Sequence, residues 1–452
     1  MKGYYLPAFS VEEEEQEYRG VPIRVPCLTA SEMVLLSDRL IAAQKRLAAE
    51  SIFKIVDWID AAARCWTDPN DSIRREAESL LPRITGDSPQ MVRFALDDLF
   101  KQLTRPLLMQ LLEAELGDPS LLDHFRPKPK GVGFTRAVGP RLTAHILPGN
   151  LPGTAILSLV CALLTKSSSL AKVSRKEFLL PVLFAESLLK IHPDLAKCLA
   201  ILTWENGAID LTRAVLRKAD CVILYGGGET IETLRKEIPA TARTIFHGHR
   251  LSLGVIAREL IDKDAATRAA TDVVPYDQRG CLSPHLYYVE AGGRSTPLEF
   301  AQWLAEALST AAVQLPKGMT SPGEASRIQQ LRGTIPLAGG RVFESPQGCD
   351  WTVLYDPDPA FSVSPLSRTV WVKPLPDLSE VIRFLEPIRS FLQAVGIAIP
   401  EARQGKIVTA LASMGVSRIC PIGEMQTPPL TWHHDGRFRL LDLLRFVDWE
   451  NP

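Results

Sequence analysis

Cys281 lies between Gly280 and Leu282, with a Ser-Pro step at 283–284. A cysteine beside glycine on a turn is sterically open, and its thiolate is a nucleophile. Seven other cysteines are scattered along the chain, so a small core residue is the competing reading. Asn150 stands in the turn 147–152, Leu-Pro-Gly-Asn-Leu-Pro, between a strand-like run and an apolar helix. There an amide N–H can be aimed at a developing oxyanion, or the side chain can cap the helix. Gly226, Gly227 and Gly228 end another strand-like run where a helix opens. Such a turn admits a dinucleotide close to the backbone, although a plain βα turn has the same composition.

These residues need elements to hold them. Residues 1–28 read as an irregular arm with Pro22 and Pro26. From 31 to about 117 the pattern is helical, with Met33, Leu36, Leu40 and Ala43 at three- and four-residue spacing. Ser88-Pro89 is a helix start, and Pro106 breaks or kinks the helix around it. The Pro-, Lys- and Gly-rich stretch 126–133 reads as a linker. From 141 the rhythm changes. Strands at 142–147, 169–173, 199–203, 220–225 and 244–247 alternate with helices at 154–165, 180–191 and 209–218 and one opening at Glu229. That alternation predicts a parallel, doubly wound sheet whose ligands sit at the carboxyl ends of the strands. A second α/β block from about 253 to 395 carries Cys281 just before a strand at 286–289.

Composition bounds the partners. The chain has 452 residues, 46% hydrophobic and 23% charged, with 51 basic against 52 acidic side chains. A net charge of −1 argues against a nucleic-acid footprint. The longest nearly apolar run, 151–164, is too short to span a bilayer, and no secretory leader is visible. The eight cysteines have no CxxC spacing and read as a reduced thiol set, which places the expected location in the cytoplasm. The run Trp432-His433-His434-Asp435-Gly436 is poorly spaced for a metal, since adjacent strand residues face opposite ways, and a docking role is expected of it instead.

Taken in order, the Asn turn, a Lys-bearing strand end, the Gly turn and the late cysteine resemble the aldehyde dehydrogenase superfamily. More narrowly, Asp277-Gln278-Arg279-Gly280-Cys281-Leu282-Ser283-Pro284 resembles the LuxC-type acyl-CoA reductases. The stretches 248–252, 364–369 and 415–419 are similar to that family as well. The resemblance implies an α/β, aldehyde-dehydrogenase-like fold: a doubly wound Rossmann-type cofactor domain and an α/β catalytic domain, with a helical N-terminal region. The expected segments are 1–130 (arm and helices), 131–255 (cofactor), 256–395 (catalytic) and 396–452, a C-terminal extension on the cofactor domain or a subunit interface.

It further implies roles. Cys281 attacks an acyl thioester and forms an acyl-enzyme that a reduced nicotinamide converts to aldehyde. Asn150 and the Cys281 backbone N–H hold the oxyanion. The implied partners are an acyl-CoA or acyl carrier protein as substrate and an acyl-transferring partner enzyme, and a homo-oligomer is expected. Two departures sharpen this. Where aldehyde-oxidising relatives carry a water-activating glutamate, residues 247–252 read His-Gly-His-Arg-Leu-Ser, with no carboxylate. His249 is the candidate acid or base there, against a plain hydrogen-bonding role. At the strand end Lys172-Val173-Ser174-Arg175, Arg175 stands where the superfamily often has an acid. Lys172, Ser174 and Arg175 with the three glycines form the expected cofactor site, and arginine favours NADPH over NADH. Aldehyde oxidation, or acyl transfer by Cys281 without reduction, is the alternative activity.

Overall fold

The computed structural model describes residues 1–7, 9–128, 131–149 and 153–450. They divide into two compact units. The first holds residues 1–85, 92–248 and 437–452, and the second 86–91 and 249–436.

The first unit opens with a hairpin, β1 (Glu12–Tyr18) and β2 (Val21–Cys27), where an irregular arm was expected. Val21, Ile23 and Val25 point inward while Pro22, Arg24 and Pro26 alternate with them on the other face. Proline is tolerated because a two-stranded sheet has only edge strands. Five helices follow: α1 (Ala30–Ala49), α2 (Ile52–Thr67), α3 (Ser72–Thr85), α4 (Pro89–Phe100) and α5 (Arg105–Leu116). Ser88 caps α4 by accepting the Met91 N–H at 3.1 Å. Pro106 falls in the first turn of α5, so the chain breaks just before it. The expected linker contains β3 (Arg126–Pro127), which pairs with β4 (Phe134–Val138).

Next come β5 (Leu142–Ile146), α6 (Thr154–Leu164), β6 (Ser168–Lys172), α7 (Leu179–Ile191), α8 (Pro193–Ala196), β7 (Leu199–Leu202), α9 (Ile209–Leu216), β8 (Cys221–Tyr225), α10 (Gly228–Arg235) and β9 (Arg243–His247). The five strands β5 to β9 form a parallel sheet in the order β7-β6-β5-β8-β9. The order reverses between β5 and β8, and the loops leaving their carboxyl ends diverge there. His145 on β5 is fully buried and bonds Ser158 on α6 at 2.8 Å and Ser169 on β6 at 3.0 Å.

The N-terminal helices are no separate segment. Met33, Leu36 and Leu40 of α1 pack on Leu142, Leu170 and Val222 of the sheet, which is why residues 1–85 join the first unit. The end of the chain returns to the same unit. The Glu115 carboxylate accepts the N–H groups of Arg439, Leu440 and Leu441 at 2.8–3.0 Å, and the strand Arg445–Trp449 pairs with β4.

The second unit is built on a seven-stranded sheet. Its elements are β10 (Leu251–Ile256), α11 (Lys263–Val273), β11 (Pro284–Glu290), α12 (Pro297–Gln314), α13 (Pro322–Thr334), β12 (Arg341–Glu344), β13 (Thr352–Tyr355), β14 (Thr369–Leu375), α14 (Val381–Leu385), β15 (Leu392–Ala398), α15 (Glu401–Ser413) and β16 (Arg418–Pro421). The order is β12-β13-β14-β11-β10-β15-β16, parallel except for β12 at one edge. Helices α11 and α12 cover one face, and α14 and α15 the other. Because β15, α15 and β16 complete this sheet, residues 396–436 belong here and not to a separate extension.

Candidate active site

The candidate nucleophile stands on an unusual backbone. Tyr276, Asp277 and Gln278 have φ of 55°, 51° and 64°, three consecutive non-glycine residues in the left-handed region. Leu366, Ser367 and Arg368 repeat this with φ of 65°, 59° and 58°. Such residues cost energy and persist where the surroundings over-determine them. Here the two turns lock each other. Arg368 pairs with the Asp277 carboxylate at 2.8 Å, and the Gln278 amide oxygen accepts the Thr369 N–H at 2.8 Å. Gln278 also donates to the Pro284 carbonyl at 2.8 Å, so it spans the loop that carries Cys281. Asp277 accepts the Gly318 N–H, and Arg279 pairs with buried Asp87. Ser364 donates its N–H to Nδ1 of His285 at 3.1 Å. Burial pushes the pKa of His285 down from 6.5 to about 4, so its imidazole is neutral.

Between Asp272 and Glu290 every residue is buried except Arg279 and Cys281. Cys281 lies at the amino-terminal edge of the parallel strands β10, β11 and β15, opposite to the carboxyl-edge rule that holds in the first unit. Its carbonyl accepts the Ser252 hydroxyl at 2.6 Å. Its sulfur lies 3.9 Å from Nε2 of Gln393. It packs with Leu282, Ala394, Cys420, Met425 and Trp432 in a small apolar cluster. Cys161, Cys198, Cys221 and Cys420 are buried, and burial raises their thiol pKa to about 11 or 12. Cys27 is exposed, and Cys65 and Cys349 are half-buried.

The first unit carries a cleft of about 510 Å³ at the reversal point of its sheet. Ile146 to Gly149 line one side, and Tyr225, Gly226 and Thr230 another. Lys172, Ser174, Arg175, Trp204, Glu205 and Asn206 line the remainder. Lys172 bonds the Asn206 side-chain oxygen, and its ammonium lies 5.8 Å from the Trp204 ring. Burial lowers the Lys172 pKa. Arg175 faces Glu205 at 3.7 Å. Gly149 has no room for a side chain, since a Cβ there would come within 2.2 Å of the Ser174 hydroxyl. A narrow backbone approach, two cations and a flat aromatic ring fit a nicotinamide dinucleotide. Of the expected cofactor residues, Lys172, Ser174, Arg175 and Gly226 line this cleft. Gly227 precedes α10 as its cap, and Gly228 begins that helix. Asn150 lies outside the described residues. The cap position of α6 is Gly153, at φ 99°. His249 is exposed, three residues before Ser252.

A family model described as acyl-CoA reductase (LuxC) matches residues 47–446. The chain belongs to the LuxC acyl-CoA reductase family. A long-chain acyl-protein thioester reductase from Aliivibrio fischeri is 28% identical over 404 residues, 88% of this chain and 82% of that one. Another so named, from Photobacterium leiognathi, is 24% identical over 436 residues, covering 95% and 88%. Solved structures show the fold as that of aldehyde dehydrogenases. An oxidoreductase from Marinobacter aquaeolei matches with a TM-score of 0.75 at 14% identity, covering 97% of this chain and 95% of that one. An NADP-dependent glyceraldehyde-3-phosphate dehydrogenase from Bacillus halodurans, solved with NADP, matches at 0.73 and 14%, covering 97% and 96%. Family and fold make this LuxC member an oxidoreductase. No helix among the described residues is long and apolar enough to cross a membrane.

Three residues of this LuxC site escape sequence reasoning. Gln393 and Ser252 are polar side chains in strands otherwise apolar, Leu392–Ala398 and Leu251–Ile256, and that contrast is the signal that marks them. Trp432 belongs to the run given a docking role at the domain edge or a subunit contact; its ring packs beside Cys281 and its indole N–H donates to the Ser417 carbonyl.

Proposed function

We propose that this LuxC-family chain reduces a long-chain acyl thioester, on coenzyme A or a carrier protein, to the aldehyde through an acyl-enzyme on Cys281. The observation that carries the reading is Cys281 itself: a half-exposed thiol in an otherwise buried stretch, on a turn fixed from both sides. The Cys281 thiolate attacks the thioester carbonyl carbon. A new C–S bond forms, the bond to the donor sulfur breaks, and the donor thiol leaves with a proton. Asn150 and the Cys281 backbone N–H are the proposed oxyanion donors. The apolar neighbours Leu282, Met425 and Trp432 suit an acyl chain and keep water away. His249 is the proposed proton carrier. Residues 247–252 offer no carboxylate to activate water, so the acyl-enzyme is kept from hydrolysis to the acid.

In the cleft, a bound reduced nicotinamide supplies a hydride. Lys172 and Arg175 favour NADPH, because a 2′-phosphate is met by cations. The cytoplasm is the proposed location, since none of the eight cysteines is in a disulfide.

Acyl-CoA incubated without reductant tests the reading. Intact mass should show one acyl adduct, absent in Cys281→Ala, and NADPH should convert it to aldehyde. Equal labelling of Cys281→Ala would overturn the mechanism.

A further inference from the structure

Gln393 is the second residue of β15, a strand whose other members are apolar or glycine. It has no exposed surface. Its backbone is pinned, since its carbonyl accepts both the N–H and the hydroxyl of Ser417, at 3.0 and 2.9 Å. Its amide nitrogen points at the Cys281 sulfur at 3.9 Å, while its amide oxygen is buried without a hydrogen-bond partner. A leucine or valine here would pack without stranding a polar atom, so the amide costs stability. What it supplies is an N–H aimed at sulfur.

That N–H counters the surroundings of the sulfur. The cluster around Cys281 is apolar, and an apolar wall disfavours a thiolate. Charged and titratable groups on the elements around the cluster have partners of their own. Arg418 on β16 spends its guanidinium on the carbonyls of Met425 and Glu424. Cys420 on the same strand is held as thiol by burial. Asp272 on α11 accepts the Gly423 and Met425 N–H groups, and His434 lies against Trp432. Arg279 and Asp277, on the nucleophile's own loop, are engaged with Asp87 and Arg368.

We propose that Gln393 is the positioning residue of the nucleophile: its amide N–H stabilises the Cys281 thiolate and aims the sulfur at the substrate carbonyl. This rests on Cys281 being the nucleophile. A hydrogen bond to the ionised sulfur favours ionisation, so the proton leaves to solvent at lower pH, and the same N–H takes the thiolate back when aldehyde departs.

The test is the rate at which iodoacetamide alkylates Cys281 in the full-length protein, followed by mass against pH. Wild type should show a midpoint below the ordinary thiol value of about 8.5. Gln393→Met keeps the length and removes the donor, and should raise the midpoint by about one pH unit. Gln393→Glu sets a carboxylate beside the sulfur and should raise it further. Acylation of Cys281 by acyl-CoA at pH 7 should slow about tenfold in Gln393→Met, in step with the lost thiolate. An unchanged midpoint in either folded variant overturns the proposal. So does a wild-type midpoint at or above the ordinary value, which needs no variant to fold. An acyl adduct found elsewhere than Cys281 would instead sink the proposed function, and the alkylation profile would still judge Gln393.

Discussion

Ser252 donates its hydroxyl to the backbone carbonyl of Cys281 at 2.6 Å and accepts the Ala394 N–H at 3.2 Å. One buried side chain thus ties the Cys281 loop to two strands, β10 and β15. Ser252→Ala leaves both backbone groups without this partner, at a cost of about 1–2 kcal/mol in stability. The larger effect should be on rate. A nucleophile displaced by a fraction of an ångström loses alignment, and acylation of Cys281 should slow roughly tenfold. Cofactor binding, proposed for the cleft of the first unit, should be unchanged. Stopped-flow acylation beside a cofactor titration separates the two, and an acylation rate equal to wild type would refute the role.

Gly149 and Ser174 meet in the cleft proposed for the cofactor, with no space between them. Gly149→Ala puts a methyl 2.2 Å from the Ser174 hydroxyl and 2.5 Å from its Cβ. One of the two loops must move, and the strain of such overpacking is about 1–3 kcal/mol. Cofactor affinity should fall at least tenfold, the equivalent of about 1.4 kcal/mol. Adding Ser174→Gly makes room and should restore most of it. A double variant as weak as the single one would show that the loss has another source.

Much of this was legible in the sequence, for identifiable reasons. In the first unit's sheet the strands β5 to β8 are buried on both faces, and the short helices between them leave little choice of topology. Cys281 was marked by Gly280 and the Ser-Pro step. What holds it was not, because its partners come from far along the chain: Gln393 is 112 residues away and Ser252 is 29. The left-handed turns at 276–278 and 366–368 contain no glycine, so nothing local announces them. The hairpin at 12–27 was hidden by prolines that an edge strand tolerates.

On the proposed reading, cofactor choice turns on a local balance of charge. Arg175 faces Glu205 at 3.7 Å, and both are well exposed. A 2′-phosphate bound at Arg175 gains a charge-assisted hydrogen bond, while Glu205 opposes it. Arg175→Glu should therefore raise KM for NADPH by about tenfold to a hundredfold, the equivalent of ~1.5–3 kcal/mol, and change KM for NADH little. Glu205→Gln should move NADPH affinity the other way, by a few-fold. Steady-state KM values for both cofactors check this. A wild type that prefers NADH, or an Arg175→Glu variant that loses both cofactors alike, would contradict it.

Acid should weaken this fold through histidines buried in the neutral form. His285 accepts the Ser364 N–H, and burial moves its pKa from 6.5 down to about 4. His145, between two serines, is moved down to about 3. In the unfolded chain each imidazole takes up a proton at its ordinary value, while in the folded chain it does not until the lower one. Between those values the unfolded state binds more protons. The stabilisation is therefore fully present above pH 6.5 and is lost as the pH falls toward 4 for His285. The loss is about 1.4 kcal/mol per pH unit for each histidine inside its window. The melting temperature should drop between pH 7 and pH 5. It should drop less in His285→Gln, which accepts the Ser364 N–H through its amide oxygen and has no proton to gain. The comparison is between slopes, so a lower melting temperature of the variant at pH 7 does not disturb it. If His285→Gln loses stability with acid as steeply as wild type, the buried imidazole at the foot of the Cys281 loop is not what titrates.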